Sequence, residues 1–140
     1  MNLRTLAAFV IGLAAAGAVS AQSVTLQAKI PFSFAVNGKT LPAGEYSVYQ
    51  GGSPGTMIIQ GTDHKVGAVT IVRPPSKPSA RVETARLVFN GYGDKYFLSQ
   101  VWTDDGQGSQ LPVTRPEHEL IVAAGAHRIH PNQTVVAALR

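Results

Sequence analysis

Between Val24 and Val36 an apolar side chain falls on every even position: Val24, Leu26, Ala28, Ile30, Phe32, Phe34 and Val36. The odd positions between them hold Thr25, Gln27, Lys29, Pro31, Ser33 and Ala35. Period two sends alternate side chains to opposite faces of an extended chain, so the even face is predicted to enter a core. A large apolar side chain contributes roughly 1.5–3 kcal/mol when fully buried, which makes Ile30, Phe32 and Phe34 the expected anchors. Pro31 has no N–H to give to a ladder, which puts this strand at an edge or bends or bulges it there. Asn37-Gly38 tolerates positive φ and should reverse the chain into a hairpin. Leu41-Pro42-Ala43-Gly44 is a second turn signal, after which Tyr46 and Val48 restart the alternation.

The rest of the chain continues in the same style. Gly51 to Gly55 is a loop by composition, and Thr56 to Gln60 is a short apolar run predicted as a central strand. Gly61 to Lys65 is a polar turn, and the β-branched run Val66 to Val72 completes a second hairpin. Arg73 to Ser79 carries three prolines and reads as an extended connector. Arg81 to Phe89 and Tyr96 to Trp102 flank the turn Asn90–Lys95 and form a third hairpin. Beyond the polar loop Thr103–Gln110, Thr114 and Glu117 are spaced as a capping box for a helix from about Arg115 to Ala124 that ends at Gly125. Val135 to Leu139 is predicted to be a closing strand.

The run PFSFAVNGKTLPAGEYSV, with the later RLVFNGYGDKYFLSQVW and LPVTRPEHEL, resembles a family of small exported bacterial β-rich proteins of unknown function. Their opening pattern has the form P-F-x-F-x-V-x-G-K-x-L-P-A-G-x-Y-x-V. The resemblance spans most of the chain after the leader. It implies the domain and its export, and brings no activity, cofactor or catalytic residue with it.

Residues 1–21 read as a signal peptide, with Arg4 ahead of an apolar run from Leu6 to Val19 and the small residues Val19-Ser20-Ala21 before the expected cleavage. That run falls short of the about 20 residues a membrane helix needs, so no span is expected in the mature chain. Residues 22–140 then form one β-rich domain. The chain has no cysteine, so thiol chemistry and cysteine-ligated metals are excluded and stability must come from packing. Of 12 Lys and Arg, Arg4 belongs to the leader, which leaves 11 basic against 8 acidic residues and a net charge of +3. The basic residues are scattered, whereas nucleic-acid binding needs a concentrated positive face. No nucleic-acid partner is expected.

Candidate chemistry is sparse. His64, His118, His127 and His130 show no HExxH or other metal-ligand spacing, and no metal site or cofactor is assigned. Asp63-His64 lacks a nucleophile elbow, and Asp104-Asp105 sits in a glycine-bearing loop rather than a glycosidase cleft, so no catalytic residue is assigned. Tyr92, Tyr96 and Trp102, around and after one turn, are the candidate contacts for a ligand or partner, an envelope protein or a glycan, against a role as core aromatics. The reading is a mainly β fold, a single antiparallel β sandwich or partly open barrel of six to eight strands with one short C-terminal helix. The expected function is an exported, periplasmic or extracellular, non-enzymatic binding or structural module of the cell envelope. A small periplasmic hydrolase and a small outer-membrane barrel are the alternatives.

Overall fold

The computed structural model describes residues 24–75, 84–127 and 132–139. The expected signal peptide, Ser76–Ser79 of the proline-rich connector, residues 81–83 at the start of the expected Arg81–Phe89 strand, and His130 lie outside them.

Among the described residues, ten strands and one helix follow in the order β1 (Val24–Ile30), β2 (Phe34–Val36), β3 (Lys39–Leu41), β4 (Gly44–Gln50), β5 (Thr56–Gly61), β6 (Gly67–Ile71), β7 (Arg86–Tyr92), β8 (Lys95–Trp102), β9 (Gly108–Gln110), α1 (Arg115–Ala126) and β10 (Asn132–Ala137). They make a four-stranded sheet, β1-β4-β5-β6, and a six-stranded sheet, β10-β7-β8-β2-β3, in which β9 also pairs with β8. The count exceeds the expected six to eight because the opening strand and its return partner are each split, and because the polar loop contributes β9.

The splitting is the main event of the fold. The hairpin predicted at Asn37-Gly38 is present, with Asn37 at φ 49 and Gly38 at φ 79, and Val36 faces Lys39 across the turn. Its tip, β2 with β3, belongs to the six-stranded sheet, while its stem, β1 with β4, belongs to the other. Phe34 faces Leu41 above the break and Ile30 faces Gly44 below it. Three residues, Pro31–Ser33, thus oppose two, Pro42 and Ala43, and Pro31 occupies the position where no ladder N–H is required.

Alternation survives the bend. Leu26, Ala28, Ile30, Phe34 and Val36 are all buried. Phe32 is only half-buried; it lies at the bend, edge-on to Phe89 at 5.0 Å and stacked on Tyr96 at 4.0 Å. One core draws on both sheets, with Tyr46, Val48 and Ile59 from one side and Leu41, Leu87, Phe89 and Leu98 from the other.

The second and third hairpins form as β5–β6 and β7–β8, the latter turning more tightly than expected because Tyr92 pairs directly with Lys95. The bend also gives the sandwich a parallel contact, Ala35 beside Phe97, since the hairpin tip enters alongside β8 in the same direction. Farther along β8, Trp102 pairs with Gly108 of β9. A Cβ at Gly108 would come within 2.6 Å of the indole, so only glycine lets the ring lie flat there.

The two sheets are laced at both flanks. The Leu139 amide donates to the Gln27 carbonyl at 2.7 Å, and Arg73 and Gln110 exchange backbone bonds at 3.0 and 2.7 Å. Among the described strands the sheets do not close into a barrel. A spanning barrel needs a closed ladder, so the fold gives the outer-membrane alternative no support.

Candidate functional site

Strand β6 is the outer strand of its sheet, and its backbone polarity decides what can meet it. The Gly61 amide donates to the Val66 carbonyl and the Val72 amide to the Gly55 carbonyl, at 2.9 and 2.8 Å. Antiparallel pairing alternates, so the even positions turn their N–H and C=O toward β5 while Gly67, Val69 and Ile71 turn theirs outward. The outward acceptors are engaged. Lys39 Nζ donates to the Gly67 carbonyl at 2.8 Å, Asn37 Nδ2 to the Val69 carbonyl at 3.1 Å, and Thr70 Oγ1 to the Ile71 carbonyl at 3.1 Å. The outward N–H groups of the same residues meet no strand among the described residues.

A cavity of about 460 Å³ opens along this edge, between β6, the Gly61–Lys65 turn and the β2–β3 tip. Lys39, Lys65, His64 and Asn37 line it together with Gly67, Val69 and largely apolar neighbours on β5 and β6, and no carboxylate is among its lining residues. Asp63, beside His64, faces the opposite side of the turn, where it borders a different recess with Pro42 and Glu45. Its Oδ1 accepts the Lys65 amide at 3.1 Å, which fixes the turn and leaves His64 at φ 60. The groove is therefore rich in donors and positive charge. Around the corner, on the outer face of the sheet, Tyr49, Ile58 and Val69 are cross-strand neighbours. Val69 and Ile71 are 57% and 65% exposed, an apolar margin to the basic groove.

The three aromatic candidates do not form one platform. Tyr96 pairs with Gly91 while Tyr92 pairs with Lys95, so the two tyrosines leave opposite faces of the hairpin. Tyr96 stacks on Phe32 and lines a smaller cavity, about 290 Å³, with Phe97, Lys95 and Pro116. Trp102 is 3% exposed; its Nε1 donates to Gln100 Oε1 at 3.0 Å, and the Arg86 guanidinium lies 6.0 Å from the ring centre. Tyr92 packs edge-on against Phe97 and donates its hydroxyl to Glu117 Oε2 at 3.0 Å.

Glu117 corrects the capping-box expectation. Thr114 precedes the helix but makes no side-chain cap bond, and its Oγ1 is buried without a hydrogen-bond partner. The Glu117 carboxylate instead accepts from Asn90 Nδ2 at 3.1 Å and from Tyr92. Two donors on the outer face of β7 outcompete one backbone amide. Gly125 also falls inside the helix rather than ending it. Glu117 is the one buried residue of α1, while Ile121 and Val122 point outward, so the carboxylate is the main tie between helix and sheet.

This tie has a titration signature. The Tyr92 hydroxyl is pushed up to about 12 from 10.0, by burial first and then by the charge and hydrogen bond of Glu117. The folded state keeps a proton that the unfolded state gives up. Its stabilising contribution is complete below pH 10 and is lost as pH rises through 10 toward about 12. Burial, followed by the charge of Asp63, moves Tyr46 in the same direction. Tyr92→Phe is therefore expected to give a shallower alkaline decline in stability, measured by urea melts across that window. An unchanged slope would contradict the assignment.

His64 and His118 are exposed and far apart in the chain, His127 caps the end of α1, and the described residues hold no group of three metal-binding side chains. Asp105 accepts from Thr103 Oγ1 and from the Gln107 amide, which hold its carboxyl below the usual range and give it a turn-forming role. Sequence reasoning missed the groove. Asn37 was legible only as a turn residue and Lys39 only as part of the resemblance pattern; the available signal was that Val69 and Ile71 put bulk on the outward face of a strand whose inward positions are Ala68 and Thr70. Comparison with protein-family models, curated proteins and solved structures finds no match.

Proposed function

We propose that this chain is an exported, non-enzymatic binding module of the bacterial cell envelope, with the groove along β6 as its recognition surface. The observation that carries the reading is the polarity of that edge: acceptors engaged, N–H donors turned outward, and Lys39, Lys65 and His64 around them. Export is supported by the Arg4 to Ala21 leader pattern, and the β-rich domain by the resemblance of PFSFAVNGKTLPAGEYSV. A mild net positive charge favours encounter with anionic envelope surfaces.

The test pairs location with binding. Fractionation of cells expressing the full chain is expected to recover a shortened protein outside the cytoplasm. Purified residues 22–140 are expected to cosediment with isolated envelope material, and to be released as salt screens the attraction. Turnover of a defined substrate by the purified domain, abolished by a single polar substitution, would overturn the non-enzymatic reading. Cytoplasmic retention of the uncut chain would overturn the rest.

A further inference from the structure

We infer that the β6 groove takes a carboxylate-bearing glycan, an acceptor-rich anionic chain, rather than an added β-strand. The inference rests on the binding-module reading and names its ligand class. An incoming strand presents donors and acceptors alternately and needs both kinds of partner along an edge. Here the carbonyls of Gly67 and Val69 already hold Lys39 Nζ and Asn37 Nδ2, side chains that stand where a strand would lie. Lysine on an edge is a recognised guard against strand addition. What meets no strand among the described residues is a row of donors. The outward N–H groups of Gly67 and Val69 border the groove and that of Ile71 continues the row just past its lining residues, recurring every second residue about 7 Å apart at a strand rise of about 3.4 Å per residue.

Lys65 and His64 add polar donors at one end of that row, with no carboxylate lining the groove to compete. A ligand rich in acceptors and carrying negative charge matches this surface, and carboxylates receive charge-assisted bonds from both amides and ammonium groups. The exposed Val69 and Ile71 side chains beside the row favour a glycan over a simple anion, because sugar rings bring C–H faces that can cover them. The length of the row favours a chain with repeated charges.

The test uses the folded domain, residues 22–140, with tetragalacturonate as the probe. Its methyl ester, inorganic phosphate and a hexapeptide of alternating Glu and Val are the comparisons. Tetragalacturonate is expected to shift the amide resonances of Gly67, Val69 and Ile71, and to bind at least about tenfold more tightly than the ester. Lys65→Glu, in an exposed turn, should weaken binding about tenfold without changing the fold. Val69→Pro removes the central outward N–H while leaving the β5 ladder intact, and should do the same. If that variant fails to fold, the Lys65 variant decides.

Tighter binding of the peptide with strand-like amide protection would overturn the inference in favour of strand addition, as would a dimer paired through β6. Phosphate binding equal to the glycan, or no binding of any probe while envelope cosedimentation persists, would overturn the glycan and leave the binding module standing. Loss of cosedimentation as well would remove both.

Discussion

Phe34→Ala is expected to cost about 3–5 kcal/mol of folding stability, the largest effect of any single substitution considered for this chain. Phe34 is 1% exposed and sits just beyond the bend, where the opening hairpin passes from one sheet to the other. Its ring meets Tyr46 of β4 edge-on at 5.0 Å and Phe89 of β7 edge-on at 5.4 Å, so a single side chain joins both layers of the core. Aromatic pairs of this geometry add about 0.5–1.5 kcal/mol to the burial itself. Truncation would remove both contacts and leave a cavity that two laced sheets cannot readily collapse. Phe32 provides the internal control. It is half-buried at the bend, so Phe32→Ala should cost clearly less, although it too touches Phe89. Urea melts of the two variants should show the larger drop in midpoint for Phe34 with little change in slope. Equal losses, or the reverse order, would mean that the bend rather than the core holds the two sheets together.

That contrast shows how far the residues alone disclose the fold. Even-position burial from Leu26 to Val36, Phe32 at the bend excepted, was legible because side-chain direction in a strand is local. The division of the hairpin between two sheets was not legible. Pro31 signalled a disturbance, but whether the chain bulges in place or crosses to another layer depends on what lies opposite, Pro42 and Ala43 on the return strand and β8 beyond. Strand β9 escaped for the same reason: a glycine in a polar loop pairs only because Trp102 offers it a flat face.

The groove lay further from reach, because it depends on a coincidence of three segments. Asn37 had a sufficient local role in the turn, Lys39 stood only in the resemblance pattern, and Val66 to Val72 had a local role as a strand. Only the crossing of the hairpin tip into the second sheet brings those two side chains to the carbonyls of β6, where they leave an edge that offers N–H groups and little else. A local motif can thus be read correctly and still conceal a groove. The aromatic candidates present the converse: Tyr92, Tyr96 and Trp102 are close in sequence, but strand geometry sends them to different faces and partners.

Glu117→Ala should destabilise the domain by about 2 kcal/mol, whereas Thr114→Ala should stay within about 0.5 kcal/mol. The two predictions separate the observed tie from a capping box, in which loss of the threonine would itself cost about 1 kcal/mol. Bonds to a charged acceptor are worth about 1.5–3 kcal/mol each, and Glu117 takes two, from Asn90 and Tyr92. Against them stands the desolvation of a carboxylate only 4% exposed, which returns part of that gain when the group is removed. The balance still favours the wild type, since truncation leaves the Asn90 amide and the Tyr92 hydroxyl facing a space without an acceptor. Helix α1 contributes no other buried side chain, so the loss should also loosen the helix before the sheets. Glu117→Gln keeps an acceptor oxygen and should fall between the two variants. In a double-mutant cycle with Tyr92→Phe, coupling of about 0.5 kcal/mol or more is expected for a direct bond. Urea melts followed by both helical circular dichroism and Trp102 fluorescence would resolve the order of loss. A costly Thr114→Ala with a silent Glu117→Ala would return the pair to the capping role that its spacing suggests.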